Sequence, residues 1–404
     1  MKEVFPRRNE YIVFVEQVEE IEGFFDLILD GVEGNLFEEI SEERILNNDF
    51  INNIPTQIFS LRLSTQQYLA LEGSSWLKII VTNTSTEIPI QLYTDIFFDA
   101  EVEQLYIKDI KPIRIENKKK IFSMNIFSES TRREIKSILN KVGDGVNSVV
   151  VYNVGQGNCN GICDSLGMPY LYFDFGGGVF QNTKTYPGNY ENSNKINFCY
   201  TVEPPVILSH WDWDHMASII KAEHSKIKES KWIVPKQEMG ITHLKVALEL
   251  YNRGNLIIWP SNAKSIKTKK LEIQKISTYD IKDKNNNGLV LTVKINPYDY
   301  ILLPGDANYE FIKKKRNYVG LVGTHHGASS HGCLNKIPKA NRNSKIAYSF
   351  GSKNSYHHPK TPSIASHVKK GWSNIYFTIN GHISLGNKIN EMPCGNLCTL
   401  GKTQ

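Results

Sequence analysis

The sequence predicts an α/β fold in which two β-sheets are covered by helices, set behind an N-terminal domain of α+β type. Three observations predict it. From residue 148 onward short apolar runs recur and end abruptly in polar clusters, the pattern of strands that deliver side chains to one edge. A helix-like segment, MASIIKAEHSKI, stands between two groups of these runs, as α/β layering requires. The 404 residues exceed what one ordinary core organises, and Gly143-Asp144-Gly145 breaks the chain after a helical stretch. The expected domains are therefore 1–145 and 146–404.

In the first domain the acidic-apolar stretch VFVEQVEEIEGFFDLIL precedes the β-rich runs LKIIVTNTS and IPIQLYTDIFF. Thr131-Arg132-Arg133-Glu134 has the form of a capping box, and Ile135, Ile138 and Leu139 follow at helical spacing. No constellation that carries chemistry lies here. In the second domain VVVYNV and YLYFDF read as successive strands, and Val206, Ile207 and Leu208 as a core strand entered from Pro204-Pro205. LVLTVKI and YILLPGD read as a strand pair, and LVGTHHG as a strand ending in polar residues.

A chain with 40% hydrophobic and 11% aromatic residues can bury a real core. No apolar run approaches the roughly 18–20 residues that span a bilayer, and MKEVFPRRNEY carries no signal-type stretch, so a cytoplasmic protein without membrane contact is expected. The six cysteines then read as reduced thiols, although Cys159/Cys163 and Cys394/Cys398 share a spacing that four zinc-binding thiolates could use. The net charge of +5 is uneven: eleven acids and no Lys or Arg fall between Glu16 and Glu43, leaving the remainder strongly basic. That asymmetry suits an anionic partner such as nucleic acid, or simply a lysine-solvated surface. The acidic stretch could recruit a protein partner.

The densest chemistry is VILSHWDWDHMAS. Alternation on leaving the strand aims His210 and Asp212 at one point, while Asp214 and His215, at a helix N-terminus, turn toward a second. Imidazole with carboxylate suits Zn²⁺, Mn²⁺ or Fe, and two ions a few ångströms apart are the natural outcome. Trp211 and Trp213 should point away, at least one of them into the core. His224 and His243 read as ordinary helix-surface residues.

From about residue 148 to 387, VYNVGQGN, YLYFDFGGG, VILSHWDWDH, NNNGLVLTV, ILLPGDANYE, LVGTHHGASSHG, SFGSKNSYHHP and IYFTINGHISL occur in an order that resembles the metallo-β-lactamase-fold hydrolases, specifically the soluble hydrolase domain of the ComEC DNA-uptake protein. The resemblance covers about 60% of the chain and implies an αββα sandwich. It also implies two divalent ions, Zn or Mn, held by His210, Asp212, Asp214, His215, Asp306 and one of His325 and His326. The spacing does not separate that pair; His326 is taken as the ligand and His325 as a neighbour behind it. Asp174 matches an aspartate that orients a ligand histidine. Asn287 matches a family asparagine, and in the matching stretch Asn354–Pro359 His358 is the expected general acid or phosphate contact; Lys353 with Asn354, and Ser329 after the HHG turn, read as substrate-binding residues that favour a phosphate ester. Asp214 is placed in the catalytic set with His358.

Three departures stand out. The glycine loop begins and ends with Asn153 and Asn158 where the family has aspartates, which should favour phosphate. Gly288 stands where the family has serine. A carboxylate at 212 in place of histidine tilts the metal modestly toward Mn²⁺. The implied activity is a metal-dependent phosphodiesterase, a nuclease in which water activated by the ions attacks the DNA phosphodiester. Hydrolysis of a small phosphodiester or ester, such as a cyclic nucleotide or phosphocholine-like compound, is the alternative, and a non-catalytic metal-site protein with a regulatory role the third reading.

Overall fold

Apolar residues two apart close the N-terminal strands into a barrel. The computed structural model describes residues 9–86, 88–98, 102–143, 145–186, 198–313, 316–329 and 336–387. It divides into two units, the first made of residues up to Phe127 together with Glu238–Asn252, and the second of the rest.

In the first unit the strands are β1 (Glu10–Ile21), β2 (Phe24–Glu33), β3 (Gln57–Ser64), β4 (Trp76–Thr82), β5 (Pro89–Tyr93) and β6 (Glu103–Pro112). They form a closed barrel in the order β1-β2-β3-β5-β6-β4, every pair antiparallel. The alternating residues Tyr11 and Val13, Leu27 and Leu29, Phe59, Leu61 and Leu63, Leu77, Ile79 and Val81, Ile90 and Leu92, and Leu105 and Ile107 share one core. On the other face of the sheet Trp76 packs with Phe14, Phe37 and Phe122. The sequence shows the strands but not the closure, because β4–β1 and β5–β3 pair out of chain order.

The second unit holds β7 (Ser148–Val151), β8 (Cys159–Cys163), β9 (Pro169–Phe175), β10 (Val206–Ile207), β11 (Trp232–Val234), β12 (Leu256–Ile258), β13 (Ser265–Lys267), β14 (Leu271–Lys275), β15 (Leu289–Lys294), β16 (Tyr300–Leu303), β17 (Tyr318–Val322), β18 (Ala340–Tyr348), β19 (Asn374–Phe377) and β20 (Ile383–Gly386). They make two seven-stranded sheets, β12-β11-β10-β9-β8-β7-β20 and β13-β14-β15-β16-β17-β18-β19. One core joins their facing sides: Val149, Ile162, Phe173 and Ile207 from the first sheet lie with Ile273, Leu291, Ile301 and Val322 from the second.

The division between units falls ahead of the glycine break. Helix Arg132–Asn140, whose Thr131 hydroxyl accepts from Glu134 N at 3.1 Å, sends Ile135 and Leu139 into the second unit's core, and Val142 and Val146 join them. Helix Ile241–Asn252, reached through the second unit's sequence, belongs to the first. The expected helix over MASIIKAEHSKI is instead a short α-turn, Trp213–Met216, followed by 3₁₀ turns at Ala217–Ile219 and Ala222–Glu229. Among the described residues no helix is long and apolar enough to cross a membrane.

Candidate metal centre

β10 is only two residues long, yet it lies between parallel neighbours β9 and β11, and Leu208 N still donates to Ile233 O at 2.9 Å beyond it. The chain then leaves the sheet. Asp212 is the N-cap residue of the turn Trp213–Met216, so Asp214 and His215 fall in its first turn. Trp211 and Trp213 are buried, with the Trp211 indole donating to Pro235 O at 2.9 Å. At the end of β16, Gly305 takes a left-handed φ of 60° and delivers Asp306. At the end of β17, His325 and His326 take left-handed φ of 48° and 53°. Three strand ends, β16 and β17 being parallel neighbours, thus meet at the edge where such sheets present their loops.

Six side chains face one another there. His215 Nε2 is 3.0 Å from Asp306 Oδ1, and His326 Nε2 is 3.0 Å from Asp214 Oδ2. His210 Nε2 is 3.3 Å from Asp212 Oδ2 and 3.9 Å from Asp306 Oδ2. The buried atoms His210 Nε2, His215 Nε2, His326 Nε2 and Asp306 Oδ1 make no hydrogen bond despite this proximity. Leaving such atoms unsatisfied costs on the order of 1–3 kcal/mol each, whereas ligands at about 2.1 Å from a shared tetrahedral ion lie about 3.4 Å apart. The donor set and its spacing fit divalent metal. Two ligand groups can be drawn, His210–His215–Asp306 and Asp214–His215–His326. One imidazole nitrogen serves one ion, so His215 belongs to a single position. Assigned to Asp214 and His326, it leaves His210 with Asp306 for the other position, where Asp212 Oδ2 lies 3.3 Å from His210 Nε2.

Groups behind the ligands fix them. Asp174, fully buried, takes the His215 Nδ1 proton at 2.9 Å and accepts from Ser209 N at 2.7 Å. His326 Nδ1 lies 2.7 Å from Ser349 O, which leaves Nε2 as the lone-pair nitrogen. Asn158 donates to Asp174 Oδ2 at 3.2 Å. An aspartate at 158 would set two carboxylates against each other, whereas the amide of Asn158 donates. Asn153 is spent on its own loop, its Oδ1 accepting from Gly155 N at 3.2 Å.

The outer residues divide. His325 is one-third exposed with Nε2 at 3.6 Å from Asp306 Oδ2, and His358 lies 5.8 Å from the His325 ring and 6.4 Å from the His326 ring, centroid to centroid. Both belong to the rim. Asn354 is buried and holds the loop: it accepts from His358 N and donates to Gly351 O and His358 O. Asn287 binds the 278–283 loop through Thr278, Asp280 and Asp283. The side chains of these two asparagines are committed to loop structure, whereas Ser329 and Lys353 are exposed. A Cβ on Gly288 would overlap Ser209 O, so the close backbone approach requires glycine there.

Three residues lacked any sequence signal. The Ser209 hydroxyl sits 2.9 Å from His210 Nδ1. Gln237 accepts from Trp211 N and donates to Lys284 O and Asn287 O, tying the ligand loop to the 284–287 turn. Lys284, its side chain 12% exposed, places Nζ 2.8 Å from Asp212 Oδ1. None of the three stands at a recognisable spacing. His243 departs from expectation too: it is buried in the first unit with Nδ1 2.9 Å from Glu16 Oε1. Cys159 and Cys163 are buried in β8, while Cys394 and Cys398 lie outside the described residues.

Charge explains the titration of the cluster. Burial alone would raise all three ligand aspartates, but cations offset it. His215 and His326 lower Asp214, and His215, His325 and His326 hold Asp306 well below the carboxylate range. Asp212 is likewise held well below it by Lys284 and His210. His215 is raised well above its usual value: burial lowers it, but Asp306, Asp174 and Asp214 prevail. Burial, with His325 and His326 adding to it, pushes His358 down to about 3. No protein-family model matches the chain, and no curated protein matches it.

Proposed function

We propose that the second unit is a metal-dependent phosphodiesterase of the metallo-β-lactamase fold, with DNA as its substrate and the cytoplasm as its place of action. The observation that carries this reading is the convergence of His210, Asp214, His215, Asp306 and His326 from three strand ends with buried nitrogen and oxygen atoms left without hydrogen bonds. Two divalent ions, Zn or Mn, would supply Lewis acidity and an activated water.

The chain's own groups supply the rest. Asp174 and Ser349 O keep the Nδ1 protons of His215 and His326, so both present Nε2 inward. Asp306 turns one oxygen toward His215 and the other toward His210, and can serve both positions. One water would be added across an ester P–O bond: its oxygen ends on phosphorus as that bond breaks, a proton it gives up passes to solvent, and the leaving alkoxide takes one back from solvent or from His358. His358, neutral at pH 7, can donate a hydrogen bond to a phosphate oxygen; it becomes a proton donor only once an anionic phosphate beside it raises its pKa. An anionic substrate is favoured by Lys360 near His358, by neutral Asn153 and Asn158, and by the basic remainder of the chain.

The test incubates the purified protein with Mn²⁺ or Zn²⁺ and labelled single- and double-stranded DNA, with a chromogenic phosphodiester alongside. DNA cleavage that falls by roughly a hundredfold or more in Asp214→Ala is expected. Turnover of the small diester with DNA intact would move the reading to a small phosphodiester, and no hydrolysis of either above the variant would overturn it.

A further inference from the structure

Resting on the metal-centre reading above, we propose that Lys284 makes the two metal positions unequal, so that the chain holds one divalent ion tightly and a second only weakly. The tight position is framed by Asp214, His215 and His326, with Asp306 Oδ1 3.0 Å from His215 Nε2 and 4.0 Å from His326 Nε2. The other offers His210, with Asp212 Oδ2 at 3.3 Å and the second oxygen of Asp306 at 3.9 Å from its Nε2.

The decisive difference is charge. Asp212 already has a cation, the Lys284 ammonium, 2.8 Å from its Oδ1, and Lys284 Nζ lies 3.3 Å from Trp211 O as well. Its side chain is 12% exposed, so water screens it little. Gln237, 5% exposed, donates to Lys284 O and accepts from Trp211 N, so the backbones that carry the lysine and the Asp212 loop are tied together. A neutral donor in that place would merely orient the carboxylate. A buried ammonium also cancels one of the negative charges that would attract a dication, and repels the dication itself. No comparable lysine pairs with Asp214 or Asp306 among the described contacts; their neighbours are the imidazoles of His215, His325 and His326.

The experiment strips the full-length protein with chelator, reloads it with Mn²⁺ or Zn²⁺, and reads metal content after desalting together with calorimetric titration. Wild type should keep about one equivalent, with a second site weaker by roughly tenfold or more. Lys284→Met, nearly the same length without the charge, should strengthen the second site by a similar factor, while Lys284→Arg should leave it weak. Near-ultraviolet circular dichroism checks that each variant is folded. Two equally tight ions in wild type would overturn the inequality, and a second site that Lys284→Met leaves unchanged or weakens would overturn the role of Lys284, both without touching the metal-centre reading. A wild-type protein that retains no ion would overturn the metal-centre reading with it.

Discussion

Asp174 is a single residue whose effect reaches the site only through another. Its carboxylate accepts from His215 Nδ1, Ser209 N and Asn158 Nδ2, so it determines which nitrogen of His215 carries the proton. In Asp174→Asn one amide oxygen can still accept from Ser209 N, but the amide NH₂ then faces donors and favours the His215 tautomer with Nε2 protonated. Metal affinity should fall by about 10–100-fold, measured by calorimetry, with far-ultraviolet circular dichroism unchanged. At this scale the sequence was most informative where donors were crowded: HWDWDH announces itself by spacing. Ser209, Gln237 and Lys284 were not legible, because a lone hydroxyl, amide or ammonium gains its meaning only from the loop that folds against it.

At the scale of elements, backbone approach matters as much as side chains. A Cβ on Gly176 would overlap the carbonyl oxygen of Asp214, so the turn after β9 and the ligand turn Trp213–Met216 can share this space only because residue 176 is glycine. Gly176→Ala should cost roughly 1–3 kcal/mol in urea unfolding and lower metal retention as well. The glycine run in YLYFDFGGG suits a close backbone approach and a plain tight turn equally well by sequence; the segment following the ligand turn was read as a helix, because MASIIKAEHSKI has an apolar spacing that 3₁₀ turns use equally well.

Helix Ile241–Asn252 offers a second case. Asp30 of β2 accepts from Thr242 N and Thr242 Oγ1, both at 2.7 Å, and so caps the helix from another element. Burial, reinforced by Glu16, raises this carboxyl to about 8. In the unfolded chain it titrates near 4. Between those values the folded chain holds a proton that the unfolded chain has released, so the stabilisation is complete below about pH 4 and is lost as pH rises through about 8. Hydrogen exchange of the barrel amides should therefore be slower at pH 5 than at pH 8.5 after correction for intrinsic rates. Asp30→Asn should flatten that dependence.

At the scale of the whole molecule, several strands were legible from β-rich runs in the first unit and from short apolar runs ending in polar clusters in the second, but neither barrel closure nor the division between units was. Both depend on pairings between distant segments, and the helix that completes the first unit lies amid the second unit's sequence. A fragment beginning at Ser128 would carry that helix without the unit it belongs to, leaving Leu244, Leu248 and Leu250 without their cover. Such a fragment should aggregate on size-exclusion chromatography. Replacing its residues 238–252 by a flexible linker should restore a monodisperse, metal-binding species if the second unit is self-sufficient.

The same threading sets a schedule for the nascent polypeptide. The barrel strands leave the ribosome by Pro112, but their last helix emerges only after Asn252 has been added, on the order of ten seconds later at ordinary elongation rates. Through that interval the half-finished N-terminal unit must wait with part of its apolar surface uncovered, which makes it the stretch where a chaperone would engage first.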